Sequence, residues 1–355
     1  MGKQKWVIFP FMSAFLSLFC LWAAPAKTIW SFSYFGEDDF LYMPSDIEVD
    51  HVRSLIYIAD SGNSRILIFD FDGKLQKIIG REGQGPAEFS RPSGLFIFED
   101  GGLAVADHYN KRIQFFDKSG EFIKIITPKS VDVADLIFRD DKIYTIPTFG
   151  MSGYSPDLRS KKETQPLVNV LDLEGNVIQT ISVDDFPESQ AFLRAIKHRV
   201  CLTLTEDGRL FLPHFAMNVI HVFDLNGKKI TEFDRPLPFK PEFPQLVQQS
   251  QSKDGIIRMQ AKMDVVTHDA EIGPDGNLYL LTFTESIMKR LEREDSKKLP
   301  AVGSKIDIID TNTHKLIRSF DIDGDTGCFG VLDNNRLVYA YEDSEGELFL
   351  KCIEY

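Results

Sequence analysis

The sequence predicts an all-β protein: a six-bladed β-propeller with four-stranded antiparallel blades, its ring closed by the N-terminal strand pairing with the C-terminal blade. Three observations predict this. "ADSGNSRILIFDFDGK" from Ala59 returns 47 residues later as "ADHYNKRIQFFDKSGE" from Ala106, and self-similarity at such a period marks a repeat array. Each copy reads as four short apolar strands joined by tight turns. Finally, the last copy lacks a fourth strand while an unmatched one stands at the other end of the chain.

The second copy (91–127) gives the pattern most plainly. "GLFIFED", "GLAVAD" and "RIQFFD" are three strands, and "SG" turns the third into a fourth, "EFIKII". A four-stranded meander with two apolar faces must be flanked by like sheets, and radial stacking supplies them while leaving only short edges. The first copy spans 44–80. The third (131–182) joins "DLIFRDDKIYTIPT" to "VNVLDLEGNVIQTI", and the fourth (198–234) joins "CLTLTEDGRLFLPH" to "VIHVFDLNGKKITEF". The fifth (265–322) has "DAEIGPDGNLYLLT", an interruption, then "KIDIIDTNTHKLIRSF". The sixth (327–355) ends at "ELFLKCIEY". "KTIWSFSYFG" (27–36) resembles the fourth strand "GKLQKIIG" and is expected to complete the sixth blade.

Residues 1–26 read as a signal peptide. Lys3 and Lys5 precede an apolar run from Trp6 to Trp22, and Ala24-Pro25-Ala26 offers a cleavage site. The run falls short of the ~20 apolar residues of a membrane span, and Phe19 before Cys20 argues against lipidation. An exported, periplasmic or extracellular protein is expected, with residues 27–355 as one domain and a monomer. Residues 1–26 hold two lysines and no acid, so their removal takes the net charge from −13 to −15. That balance argues against nucleic acid and anionic membranes as partners. Cys201, Cys328 and Cys352 remain, an odd number too small for a disulfide framework.

"PSGLFIFEDGGLAVADHYNKRIQFFDKSGEFI" resembles an NHL repeat, and "GREGQGPAEFSRP" before it resembles a loop of secreted bacterial six-bladed propellers. The likeness, to the NHL-repeat-like six-bladed β-propeller family of secreted bacterial proteins, is strongest over 44–127. It implies a ring with a central channel. It does not imply one activity, because relatives by fold include lyases, lactonases, sensors and protein-binding platforms.

Within the repeats, Asp60 with Arg65 and Asp107 with Arg112 read as clamps on the loop between second and third strands, and Asn63 and Asn110 as turn residues. "GREGQGPAEF" lacks the Gly-Lys-Ser/Thr ending of a phosphate loop and reads as a connection between blades. Aligning the innermost strands puts Asp46, Gly94, Asp135, Cys201, Asp269 and Cys328 in one ring near a channel mouth. Glu48, Phe96, Ile137, Thr203, Glu271 and Gly330 follow two residues on. The second-strand ends add Asp60, Asp107, Thr148, His214, Thr282 and Tyr341. The channel-mouth ligand-binding candidates are Asp60, Asp107, His214, Tyr341, Cys201 and Cys328.

Carboxylates suit Ca²⁺ or Mg²⁺, and thiolate with imidazole suits Zn²⁺. The candidate metal ligands are Asp46, Asp135, Asp269 and Glu48, though no zinc-type spacing occurs. Candidate catalytic residues are Asp269, Glu271, His214 and His268. Three insertions break the rhythm: 149–166, 283–304 and the connection 235–264. By topology all three emerge at the channel mouth, and long loops in a compact domain are commonly functional. "SIMKRLERED" reads as a short helix and "FDRPLPFKPEFPQ" as a stiff connector. The leading expectation is a non-catalytic platform that binds a protein or glycan on the loop-rich face. The alternative is a metal-dependent lactonase, lyase or hydrolase at the acidic channel mouth.

Overall fold

A computed structural model describes residues 26–36, 39–146, 166–183, 199–243, 245–251, 257–291 and 302–355. Six four-stranded antiparallel sheets form the ring. The innermost strands are Pro44–Asp50, Pro92–Ile97, Asp135–Arg139, Thr203–Leu204, Asp269–Ile272 and Asp325–Asp333. The sixth sheet takes its outer strand from the other end of the chain. Lys27–Phe32 pairs antiparallel with Leu348–Glu354, Lys27 opposite Glu354 and Phe32 opposite Leu350. The indole of Trp30 donates to the Phe71 carbonyl at 2.9 Å, so the closing strand is also fastened to blade one. The signal-peptide expectation falls on residues outside the described part. Among the described residues no helix is long and apolar enough to cross a membrane.

The apolar residues of the blades separate into six buried clusters, one between each pair of neighbouring blades. Alternation along each strand makes this possible, since successive side chains point to opposite faces. In the second strand of blade one, Ile56 and Ile58 pack toward blade six with Val338 and Leu350, while Tyr57 and Ala59 pack toward blade two with Leu95 and Val105. Blades two and three share Ala104, Ala106 and Ile143. Blades three and four share Val168, Val170 and Leu212. Phe211 and Leu280 join blades four and five, and Tyr279, Phe329 and Tyr339 join five and six. A sheet that is apolar on both faces thus buries both only inside a closed ring.

Turn chemistry repeats with the blades. In blades one to five, an aspartate at the end of the third strand accepts backbone N–H bonds from the turn that follows: Asp70, Asp117, Asp172, Asp224 and Asp310. These turns lie at the end of the ring away from the start of the inner strands. The other end carries the loops between second and third strands and the connections between blades.

The insertions add structure at that end. Gln245–Gln251 and Ile257–Lys262 form a separate two-stranded antiparallel hairpin within the connection from blade four to blade five. The reading of "FDRPLPFKPEFPQ" as a connector covers only its approach. Ile287–Leu291 is a short helix, within the segment read as helical. Buried Asp264 fastens both insertions. It accepts from the Glu242 backbone at 2.9 Å, from the Ser286 hydroxyl at 2.8 Å and from the Met288 N–H at 3.0 Å. Arg235, where the connection begins, is also buried and bonds Asp307 at 3.1 Å, Thr267 at 3.1 Å and the Val266 carbonyl at 2.8 Å.

Candidate functional site

The strand register supports the predicted ring. Asp46, Gly94, Asp135, Asp269 and Cys328 lie opposite Ala59, Ala106, Ile146, Leu281 and Ala340, equivalent places on their second strands. At this level a cavity of about 360 Å³ opens at the channel mouth. Asp46, Asp135, Asp269, Cys201, His268, Ser45 and Ser93 line its inner part, and Arg91, Arg199, Tyr109 and Phe215 line it toward the loops. The structure therefore brings together Asp46, Asp135, Asp269, His268 and Cys201 of the candidates.

The carboxylates have a structural task that explains their position. An inner strand has a backbone edge toward the channel, and its N–H groups need acceptors. Asp46 accepts from Leu95 N of the next blade at 2.7 Å, and Asp269 accepts from Phe329 N at 3.1 Å. Glu271 reaches Val331 N at 3.4 Å. The residue before the ring position makes a second link. Ser45 donates to the Pro92 carbonyl at 3.0 Å and Ser93 to the Ala134 carbonyl at 2.6 Å. His268 occupies the same place in blade five, with Nδ1 2.8 Å from the Gly327 carbonyl. A carbonyl only accepts, so Nδ1 carries the proton and Nε2 keeps a lone pair.

Burial and mutual repulsion set the charge of the channel. Burial raises Asp135 and Asp269 to about 7. Glu48, two residues beyond Asp46 and deeper in the channel, rises to about 8 through burial and the charges of Asp135 and Asp269. Burial and neighbouring carboxylates hold Asp46 and Glu271 well above the usual carboxylate range. Burial, helped by the Arg199 charge, pulls His268 down to about 4, leaving a neutral imidazole. The Cys201 and Cys328 thiols are pushed up by burial and by Asp269, which keeps them protonated, and both are free. Among the described residues no three His, Cys, Asp or Glu side chains are placed to hold one metal ion.

Gly94 is the small residue of the ring for a steric reason. A Cβ there would lie 2.7 Å from the Asp135 Cα and 2.9 Å from the Ala134 carbonyl oxygen, backbone that cannot swing aside. Gly94→Ala is expected to cost about 1–3 kcal/mol through overpacking. Urea unfolding measures it, and an unchanged midpoint would show that blades two and three are not in such close contact.

Of the remaining candidates, Glu48, Glu271 and Cys328 keep their places along the inner strands, whereas Asp60, Asp107, His214 and Tyr341 do not line the cavity, which corrects the expectation for those four. Asp60 and Asp107 are fully buried and do not face the channel. They stand on the second strand, one strand spacing farther from the axis, and their oxygens are taken by the clamp. Asp60 accepts from Tyr42 N at 2.7 Å, Asn63 at 2.9 Å and Arg65 at 2.7 Å. Asp107 repeats this with Ser90 N, Asn110 and Arg112 at the same three distances. Arg112 then bonds the carbonyls of Gln84, Gly85 and Glu88, which makes "GREGQGPAEF" a fastened connection. His214 is buried in blade four with its ring 4.9 Å from that of His221. Tyr341 stacks on Phe349 in blade six, outside the cavity lining. Cys328 is buried against Ile47 and Ile58 of blade one. Thr148 lies outside the described residues.

Sequence reasoning did not find Arg91, Arg199, Tyr109 and Phe215. Each lies in a connection just outside a strand, where the repeat alignment assigns no common role.

Comparison with known proteins agrees with this architecture. Residues 37–254 match the model of the DUF5128 family, described as a 6-bladed β-propeller. The chain belongs to that family. A crystal structure of a DUF4221 family member from Bacteroides vulgatus superposes with a TM-score of 0.59 over 93% of this chain and 97% of that one, at 12% identity, which speaks to fold alone. NHL repeat-containing protein 2 of Gallus gallus is 32% identical over 136 residues, covering 34% of this chain and 18% of that protein. A probable peptidyl-alpha-hydroxyglycine alpha-amidating lyase of Caenorhabditis elegans is 26% identical over 190 residues, covering 50% of this chain and 48% of that protein. The chain thus spans less than half the length of either curated relative. The NHL-like assignment stands, and the architecture is the six-bladed propeller of this family.

Proposed function

We propose that the protein is an exported, non-catalytic platform that binds a protein partner at the channel-mouth end of the ring. The supporting observation is where its exposed aromatic side chains lie. Tyr34, Phe40, Tyr42, Tyr109 and Phe243 are the exposed aromatics among the described residues. Tyr34 and Phe40 sit opposite each other on the short paired strands Tyr34–Phe35 and Asp39–Phe40 and the other three in loops or connections, all at the end where the inner strands begin. Aromatic side chains are enriched at protein interfaces because they bury large areas at small entropic cost. Asp264 adds preorganisation by fixing the approach to the hairpin and the start of the short helix to one another, and preorganised loops lose less freedom on binding.

The test uses the purified protein as bait against proteins exported by the cells that make it. Phe40→Ser/Phe243→Ser should lose a partner that wild type retains, and Val52→Ser at the opposite end should keep it. Equal retention by all three baits would overturn the reading.

A second reading, a metal-dependent lyase, lactonase or hydrolase at the acidic mouth, draws on the partial likeness to the worm lyase. Elemental analysis of the protein after incubation with Ca²⁺, Mg²⁺ or Zn²⁺ decides it. Near-stoichiometric metal lost in Asp46→Ala/Asp269→Ala would favour the enzyme, and no retained metal would remove it.

A further inference from the structure

Arg91 and Arg199 are used differently from most arginines among the described residues, sharing with Arg318, which lies over Phe320 and Tyr355 away from the cavity, the lack of a carboxylate partner. Arg65, Arg112, Arg235, Arg209 and Arg336 each pair with an aspartate. Among the described residues Arg91 and Arg199 have no carboxylate partner. Each is held instead against an aromatic ring. The Arg199 guanidinium lies 3.7 Å from the centre of the Phe215 ring, and that of Arg91 lies 5.8 Å from the centre of the Tyr109 ring. Among the described residues, the one hydrogen bond of the Arg91 side chain goes to the Met43 thioether at 3.3 Å, a weak acceptor. A guanidinium held over a ring rather than by a carboxylate keeps N–H donors for a planar anion. Both arginines and both rings line the channel-mouth cavity.

The inner wall of that cavity has the opposite chemistry. The hydroxyl protons of Ser45 and Ser93 are committed to neighbouring carbonyls, so both oxygens present lone pairs. His268 Nε2 does the same, and Asp46, Asp135 and Asp269, held partly as neutral acids by burial, add carboxyl groups that both accept and donate. The volume of about 360 Å³ lies at the small end of the range for ligand pockets. A matching ligand is small, carries one anionic group for the arginines and several hydroxyl donors for the wall, and has an apolar face for Phe215 or Tyr109. A neutral sugar would leave the guanidiniums unpaired, and a simple anion without donors would meet the carboxylates bare.

The geometry points to the channel-mouth cavity as a binding site for a small hydroxylated carboxylate of the sugar-acid class. This goes beyond the platform reading and does not depend on it, because the ligand sits inside the ring mouth and, Tyr109 apart, the exposed aromatics are not part of the cavity lining.

Isothermal titration of the purified protein with sodium D-glucuronate and sodium D-galacturonate tests it, with D-glucose and L-serine as the neutral and zwitterionic comparators. At least one sugar acid should bind saturably at one per chain and glucose should not. Arg199→Gln should weaken that binding at least tenfold while leaving the thermal midpoint unchanged, since no ion pair is lost. Arg91→Gln provides the same readout should Arg199→Gln fail to fold. Phe40→Ser/Phe243→Ser should bind the sugar acid as wild type does, which keeps this result separate from the fate of the platform reading. The inference is overturned if neither uronate binds, if glucose binds as tightly, if serine binds more tightly, or if the glutamine variants bind like wild type.

Discussion

Asp107→Ala is expected to destabilise the protein by about 3–5 kcal/mol, the range for breaking a buried ion pair from one side. The carboxylate is fully buried and receives four donors: Ser90 N, Asn110, Arg112 and, at 3.1 Å, Gln114. Its removal strands the Arg112 guanidinium, which is only 10% exposed. It also loosens the connection between the first two blades, because Arg112 grips the 84–88 segment from the same position. Urea unfolding with a two-state fit gives the figure. Asp107→Asn should lie between wild type and alanine, since the amide keeps one acceptor and loses the charge. A loss below about 1 kcal/mol in the alanine variant would place the clamp among ordinary surface ion pairs.

The clamp was legible in the sequence because it repeats. "DSGNSRI" and "DHYNKRI" place Asp, Asn and Arg at equal spacings, and two copies of one spacing point to one geometry. The inner ring was legible for the same reason, as period-2 alternation along aligned strands carries Asp46, Asp135 and Asp269 to one level of the channel. The reading went astray where it extended the ring to the second strands. Asp60 and Asp107 are at the same height as the ring but farther from the axis, and their clamp role excludes a ligand role. The two roles compete for the same oxygens.

The connections were not legible because they do not repeat. Arg91 directly precedes "PS", and Arg199 stands two residues before Cys201, so the ruler that found Cys201 reaches both. What it lacks is a statement of direction, because a residue outside a strand has no fixed facing. Only the aromatic rings of Tyr109 and Phe215 decide where these guanidiniums point. The hairpin in 245–262 was hidden in another way. Its prolines, at Pro236, Pro238, Pro241 and Pro244, precede the strands, and "QLVQQSQ" is too polar to announce a core strand. It pairs with its neighbour alone rather than joining a blade.

The channel carboxylates should make the protein less stable as pH rises through neutrality. An acid whose pKa is higher in the folded than in the unfolded chain binds more protons when folded. Its contribution is complete below its unfolded value near 4 and is lost as pH rises through its folded value. For Asp135 and Asp269 that upper limit is about 7, and for Glu48 about 8. Glu48 is the position that isolates the effect. Asp46, Asp269 and Glu271 fasten the next blade, whereas among the described residues Glu48 accepts only from its neighbour Val49, so a neutral isostere there changes charge and little else. Glu48→Gln should match wild type at pH 5 and exceed it by about 1–2 kcal/mol at pH 9. That is well below the full linkage of the shift, because these side chains are partly accessible to channel water, which screens them. Urea unfolding of both proteins from pH 5 to pH 9 measures the difference. A Glu48→Gln curve parallel to wild type would mean that water or a cation already neutralises the channel, and the repulsion among its carboxylates would then play no part in the stability of the ring.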